Sequence, residues 1–242
     1  MPTHCERRSD QDEEVMTSRA VTYLDWDSEF FGVSIARANV TTETVELAVE
    51  EAAAQHVECL YLFLPVEQSL GLTDALRRGG RLVDVRVELD LAGAMTLPEG
   101  IRLAGSSDIS SLRPLARQLA GESRFSADPH FPGDAVREMY DIWLDRCLAE
   151  GMVLVPDRSL GGFVGARTIG DMVSVELVYV DPHHRGRGIA ANLVRGAVAK
   201  AEAPRARVST HASNIAAQRL YQSVGFRTSS MQAIVHLWLD DR

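Results

Sequence analysis

Between Val178 and Ala190 the chain reads Val-Tyr-Val-Asp-Pro-His-His-Arg-Gly-Arg-Gly-Ile-Ala. An apolar strand over Met172–Val180 ends here, Asp181-Pro182 turns the chain, and a glycine- and arginine-rich segment opens a helix. The first N–H groups of a helix have no intrahelical partner, and the helix dipole adds partial positive charge at that end. Gly186 and Gly188 let the backbone approach an anion closely, and Arg185 and Arg187 add donors. The chemistry of such a segment is that of a pyrophosphate cradle.

Two familiar phosphate loops fit it badly. Gly186-Arg-Gly188-Ile-Ala-Ala191 carries the letters G-x-G-x-x-A, but its first glycine lies six residues beyond Val180, too far for the tight dinucleotide-binding turn. The following strand, Arg205–Thr210, also lacks a ribose-binding acid. No G-x-x-x-x-G-K-[ST] occurs here. An exposed basic turn and an acyl-CoA site remain.

Other reactive side chains carry less. Cys59 lies inside an apolar strand and Cys147 on an apolar helical stripe, so both read as small buried hydrophobes rather than nucleophiles. His183, His184 and His211 do not make a metal set: adjacent histidines in a turn do not readily share one ion, and no carboxylate or cysteine spacing supports them. No metal site is expected.

The elements that must hold the cradle follow from periodicity. Strands are expected at Val21–Leu24, Val33–Val40, Cys59–Leu64 and Arg81–Leu91. Helices are expected at Thr42–His56, with Thr41 or Thr42 as N-cap, and at Ser69–Arg78, stopped by Gly79-Gly80. After the turn-rich Gly93–Gly100 come a strand Ile101–Ala104, a helix Ser107–Ala120, a loop Ser123–Gly133 and a helix Asp134–Ala149. Strands Met152–Val155, Gly161–Ile169 and Met172–Val180 follow, then helix Ile189–Ala203, strand Arg205–Thr210, helix Ile215–Val224 and one or two closing strands over Phe226–Leu239. The fold class is α/β (α+β). The expected organisation is a disordered tail over 1–18, a small α/β module over 19–95 and a second domain over 100–242.

Composition narrows the partners. With 45% hydrophobic and 24% charged residues, the 242-residue chain is globular in type. A net charge of −9 argues against nucleic acid and anionic membrane, both of which need a basic surface, but not against a small anionic ligand at a local site. No apolar run approaches the ~20 residues that span a bilayer. The polar Met1–Glu14 carries no secretory signal, and three widely spaced cysteines make no disulfide framework. A reduced, cytoplasmic protein is the expectation.

Against this background the sequence resembles the GNAT superfamily of N-acyltransferases. Arg185-Gly-Arg-Gly188-Ile-Ala190 matches its R-x-x-G-x-A signature, Val178-Tyr-Val180-Asp-Pro the preceding strand and turn, and Asn214-Ile-Ala-Ala217-Gln-Arg-Leu220-Tyr221 with Gly225-Phe226 its N-x-x-A…Y…G-F element. The match covers roughly 101–239. Outside it, Trp26-Asp-Ser-Glu-Phe-Phe-Gly32 and Ser123-Arg-Phe125-Ser-Ala-Asp128-Pro-His-Phe-Pro132 resemble the dTDP-fucosamine acetyltransferase group, which extends the resemblance to about 23–239. Trp26, Phe30 and Phe31 read as packing between the two modules, with a sugar or base pocket as the other option.

The resemblance implies a GNAT fold, acetyl-CoA as cosubstrate in a V between Met172–Val180 and Arg205–Thr210, and transfer of its acetyl group to an amine. Backbone groups of Val178 and Val180 would pair with the pantetheine arm like a neighbouring strand, one N–H stabilising the oxyanion. The backbone of Arg185, Gly186, Arg187, Gly188, Ile189 and Ala190 would take the pyrophosphate. The family places its general acid at Tyr221; a phenol of pKa ~10 is protonated beside a thiol of ~8.5 and can donate to the leaving sulfur. Asn214 either caps the helix that starts at Ile215, or holds the cofactor or a water, or does both. For the base, Asp84 matches a position that is acidic in the resembling group, Glu there; Glu176 and a water chain are the alternatives. Arg124, an arginine in a loop, is the candidate for nucleotide phosphates. The implied acceptor is a nucleotide-linked, dTDP-type deoxyamino sugar. A protein, polyamine or antibiotic amine, and a non-catalytic acyl-CoA sensor, are the competing readings, with a homodimer left open.

Overall fold

The computed structural model describes residues 20–239, so the tail expected over 1–18, including Cys5, lies outside the described residues. In chain order the elements are β1 (Thr22–Tyr23), α1 (Asp25–Phe31), β2 (Ile35–Asn39), α2 (Val45–Ala54), β3 (Cys59–Pro65), α3 (Ser69–Arg77) and β4 (Arg81–Ala92). Then come β5 (Ile101–Leu103), α4 (Ile109–Gln118), α5 (Gly133–Glu150), β6 (Met152–Pro156), β7 (Gly162–Ile169), β8 (Met172–Val180), α6 (Ile189–Ala201), β9 (Arg205–His211), α7 (Ile215–Val224) and β10 (Arg227–Trp238).

One helix lies where no element was expected, and two local expectations are corrected. Trp26–Phe31 is helical: α1 starts after Leu24 and stops at left-handed Gly32. Ser28 fastens it, its hydroxyl donating to Leu24 O at 2.7 Å and accepting from Ile35 N–H at 2.9 Å. Thr44, not Thr41 or Thr42, occupies the N-cap of α2, and its Oγ1 accepts from Thr41 N–H at 2.9 Å. The helix expected over Ser107–Ala120 divides into a 3-10 turn at Ser106–Asp108, α4, and a 3-10 turn at Leu119–Glu122. At the first turn Asp108 accepts from Gly105 N–H at 2.8 Å and pairs with Arg102 at 2.6 Å.

The ten strands form one sheet, ordered β1-β2-β3-β10-β4-β9-β8-β7-β6-β5. Pairing is antiparallel except for β2/β3 and β8/β9. The last strand is inserted between β3 and β4, with Gln232–Trp238 paired to one and Arg227–His236 to the other. One sheet therefore joins strands from before and after the turn-rich 93–100 segment.

Both faces of the sheet are covered, which is why β3 reads as a continuous apolar run. Leu60, Leu62 and Leu64 pack with Val45, Ala48 and Ala75 of α2 and α3. Cys59, Tyr61 and Phe63 point the other way, toward Phe125, Phe131 and the helices α4 and α5. Val87 and Leu89 of β4 join Leu193 of α6 and Val224 of α7. By strand alternation, the intervening Asp84, Arg86 and Glu88 lie on the α4/α5 side.

Candidate active site

The central cleft begins where two parallel strands part. β8 and β9 pair from Met172↔Arg205 to Val175↔Val208 and no further. At that point the β7/β8 ladder shifts register: Val175 faces Ala166 and Leu177 faces Gly165, leaving Glu176 as the extra residue. Such a bulge bends its strand and increases the local twist. Beyond it β8 follows β7 away from β9, and a cleft of about 850 Å³ opens between them.

The alternation of the backbone sets what this edge offers. Asp181 N–H donates to Gly161 O at 2.9 Å, toward β7. Residues of opposite parity turn their groups the other way, so Val178 and Val180 present N–H and C=O to the cleft, which both line. Arg185 Nε donates to Val180 O at 3.0 Å. That arginine braces the loop against the strand.

The loop itself is held in a shape only glycine adopts easily. Gly186 and Gly188 both have φ +76, and a Cβ at either would meet open space. The constraint there is backbone conformation, not crowding. Asp181 accepts from His183 N–H at 2.9 Å and fixes the entry. Gly188 caps α6 with no side chain, and the first turn carries no acidic residue, so its N–H groups stay open to an anion. Ile189 and Ala190 supply the first of these N–H groups, and Arg187 is exposed beside them.

Asn214 Oδ1 accepts from Ala217 N–H at 3.0 Å, which makes it the N-cap of α7, while its Nδ2 lies 3.4 Å from Glu122 Oε2. Two turns further on, Tyr221 is buried yet lines the cleft. Burial pushes its phenol pKa up, so it holds its proton at any ordinary pH.

Asp84 lies elsewhere. It does not line the central cleft but a smaller cavity of about 440 Å³, together with Glu122, Ser123 and Ser126. Its Oδ1 is 2.8 Å from Nδ1 of His211, at the end of β9, and His211 lines both spaces. The hydrogen bond that His211 donates to Asp84 raises the His211 pKa above the usual histidine value, against the opposing effect of burial. In the sequence alone His211 stands out only beside His183 and His184, as part of a histidine set that makes no metal site. Its partnership with Asp84 depends on the β4/β9 register, in which Arg86 stands opposite His211.

Glu176 lines the cleft, but Arg167 donates to its Oε1 twice, at 2.8 and 2.6 Å. That carboxylate is committed to an ion pair. Arg124 lines neither space. Its guanidinium carbon lies over the rings of Phe125, Tyr61 and Phe63 at 4.6, 4.9 and 5.5 Å. Burial pushes its pKa down, and among the described residues it makes no ion pair. Phe31 packs at 4.6 Å against Phe131, while Trp26 stacks on Phe30 and stays 43% exposed. Cys59 and Cys147 are buried and free. Burial pushes Cys147 up to about 12, which removes it as a thiolate nucleophile. Among the described residues no cluster of three or more His, Cys, Asp or Glu could hold a metal ion, and no helix is long and apolar enough to cross a membrane.

A splayed parallel strand pair, a left-handed glycine loop at a helix N-terminus and a buried tyrosine on the next helix together define an acyltransferase fold of the GNAT type. Residues 117–226 match the model of the Acetyltransferase (GNAT) family. Over those residues, a little under half of the chain, the sequence is similar to that acetyltransferase family. It is similar to a dTDP-fucosamine acetyltransferase of Escherichia coli, 28% identical over 219 residues that cover 86% of this chain and 93% of that protein. It is also similar to the spore coat polysaccharide biosynthesis protein SpsD of Bacillus subtilis, 27% identical over 138 residues. That match covers 54% of this chain and spans 48% of the length of SpsD. Among solved structures, a GCN5-related N-acetyltransferase from Kribbella flavida superposes with a TM-score of 0.57 at 18% identity, covering 90% of this chain and 86% of that one.

Proposed function

We propose that this protein uses acetyl-CoA to N-acetylate the amino group of a nucleotide-linked, dTDP-type deoxyamino sugar. The observation that carries the reading is the likeness to dTDP-fucosamine acetyltransferase, which runs over 86% of the chain and so takes in the module before the GNAT motifs. The second relative is named for polysaccharide biosynthesis, which supports a sugar acceptor. The cleft suits the donor: a strand edge at Val178 and Val180 for the amide-bearing arm, and the N–H groups of Gly186–Ala190 for the pyrophosphate.

In this reading Tyr221 gives its proton to the departing sulfur, and a β8 N–H steadies the oxygen that gains charge as the amine attacks. Asn214 shapes the cleft by capping α7. Arg124 remains the candidate for the nucleotide phosphates, although it lines neither space and lies over Tyr61 and Phe63 of the first module. Two buried free thiols fit a reducing compartment such as the cytoplasm.

The test is thiol release from acetyl-CoA with a panel of dTDP-linked amino sugars, free amino sugars, polyamines and peptides. Release is expected with at least one nucleotide-linked member and not with the free amines. Release only with a polyamine or peptide, or with nothing, would sink this acceptor class.

A further inference from the structure

The reaction needs a neutral amine, so some group must take a proton as the carbon–nitrogen bond forms. The obvious carboxylates are badly placed for it. Glu176 is held by Arg167 at 2.6 Å. Asp84 has a side chain only 8% exposed and faces away from the donor cleft into the smaller cavity. Glu122 borders both spaces but shares a proton-bearing neighbour, Asn214 Nδ2, at 3.4 Å.

His211 is the one imidazole that lines both spaces. It ends β9, past the last β8/β9 pair at Val208, so its side chain stands at the mouth of the splay. It shares the donor cleft with Tyr221 and Val178 and the smaller cavity with Asp84, Ser123 and Ser126. A carboxylate 2.8 Å from Nδ1 fixes the tautomer: Nδ1 carries the proton it donates to Asp84, and Nε2 keeps the lone pair.

We propose that His211 is the proton acceptor for the incoming amine, that Asp84 is its positioning residue, and that the amine arrives through the smaller cavity. This rests on the N-acetyltransferase reading above and names a residue which that reading leaves out. The balance is simple. As the amine nitrogen bonds to the acetyl carbon, Nε2 takes a proton from nitrogen. The carbon–sulfur bond breaks, and the sulfur takes the Tyr221 proton. The imidazolium then loses its proton to solvent and the phenolate regains one, giving amide and free thiol.

The smaller cavity also fits the acceptor. Two carboxylates, Asp84 and Glu122, and the hydroxyls of Ser123, Ser126 and Ser213 line it, a set suited to an ammonium group on a hydroxylated ring.

Four charged groups bear on His211. Asp84 on β4 and Glu122 after α4 favour its protonated form; Arg124 from the loop opposes it; Arg86 stands opposite it across the β4/β9 register. The net direction is a raised pKa, led by the Asp84 hydrogen bond. Asp84 thus strengthens the base and also moves the acid limb of the rate profile upward.

The experiment measures kcat, acceptor KM and acetyl-CoA affinity against pH for the wild type, His211→Gln, His211→Ala and Asp84→Asn. His211→Gln is expected to lower kcat by about 10²-fold or more with acetyl-CoA affinity unchanged, a readout that also shows the variant is folded. Added imidazole should restore part of the His211→Ala rate. Asp84→Asn should lower kcat and shift the midpoint of the acid limb to lower pH. A limb that stays put in Asp84→Asn, with His211→Gln near wild-type rate, would overturn the proposal, because the limb would then report the amine alone. Absence of turnover by the wild type with every amine would instead overturn the function reading, and this inference with it.

Discussion

Asp128 Oδ2 accepts a hydrogen bond from His236 Nδ1 at 2.8 Å, and both side chains are fully buried. The same oxygen accepts from Trp238 Nε1 at 3.0 Å. One carboxylate in the loop after α4 therefore pins the last strand at two alternate residues, on the face where His236 stacks on Tyr61 at 4.4 Å. Burial disfavours the Asp128 charge, but the hydrogen bonds from His236, Trp238 and His130 outweigh it and hold the carboxyl below the usual range. Replacing Asp128 by Asn removes a charge-assisted acceptor from a dry site and should lower the unfolding free energy by about 3 kcal/mol. Denaturant titration would read this, and an unchanged midpoint would refute it.

His236 gives that region a pH dependence. Burial is the main cause that lowers its pKa to about 4, despite the Asp128 hydrogen bond, and its Nε2 has no partner to receive a second proton. The folded state holds it neutral while the unfolded state protonates it near 6.5. Its contribution is therefore complete above about 6.5 and is lost as pH falls toward 4, by roughly 3 kcal/mol over that window. Melting curves from pH 7 to 4 should show the fall, and His236→Gln should flatten it.

Tyr221→Phe removes the proposed donor and keeps the ring. Turnover should drop by about 10²-fold while acetyl-CoA binding by calorimetry stays the same. Because burial raises its pKa, no alkaline limb from Tyr221 is expected below pH 10. Equal turnover of the two proteins would remove Tyr221 from the mechanism.

Gly188→Ala places a Cβ on a residue at φ +76. The left-handed conformation costs a non-glycine residue about 1–2 kcal/mol, and the loop responds by losing its shape. Acetyl-CoA affinity should weaken about tenfold, with little change in acceptor KM. A weakened acceptor KM alone would point away from the cradle.

A chain lacking residues 1–92 loses β4, which stands between β10 and β9, and β3 on the other side of β10. Both edges of β10 and the Ile234 side of the core would be bared. Insoluble or unfolded product is expected, read by circular dichroism; a folded, active fragment would contradict it.

Arg124→Met keeps much of the packing over Tyr61, Phe63 and Phe125 but removes the charge. A raised acceptor KM with normal stability is expected for a phosphate ligand. A stability loss with unchanged KM would make Arg124 a packing residue only.

Local chemistry was legible in the chain because it depends on neighbours in sequence. The spacing of Gly186, Gly188 and Ile189 determined a turn into a helix N-terminus. Asn214 followed by an apolar-periodic run determined a capped helix carrying Tyr221, and alternation determined β4 and β8 almost to the residue. Helix α1 escaped because seven residues with none buried leave no periodic trace. What the tertiary structure alone decided depends on residues far apart. The bulge at Glu176 and the parting of β8 from β9 are properties of a register. The insertion of β10 between β3 and β4 joins residues more than a hundred positions apart, and only that sheet puts Asp84 beside His211. The sequence marks both as titratable residues on strands. Pairing across the β4/β9 ladder brings them within 2.8 Å of each other, the contact on which the proposed proton transfer rests.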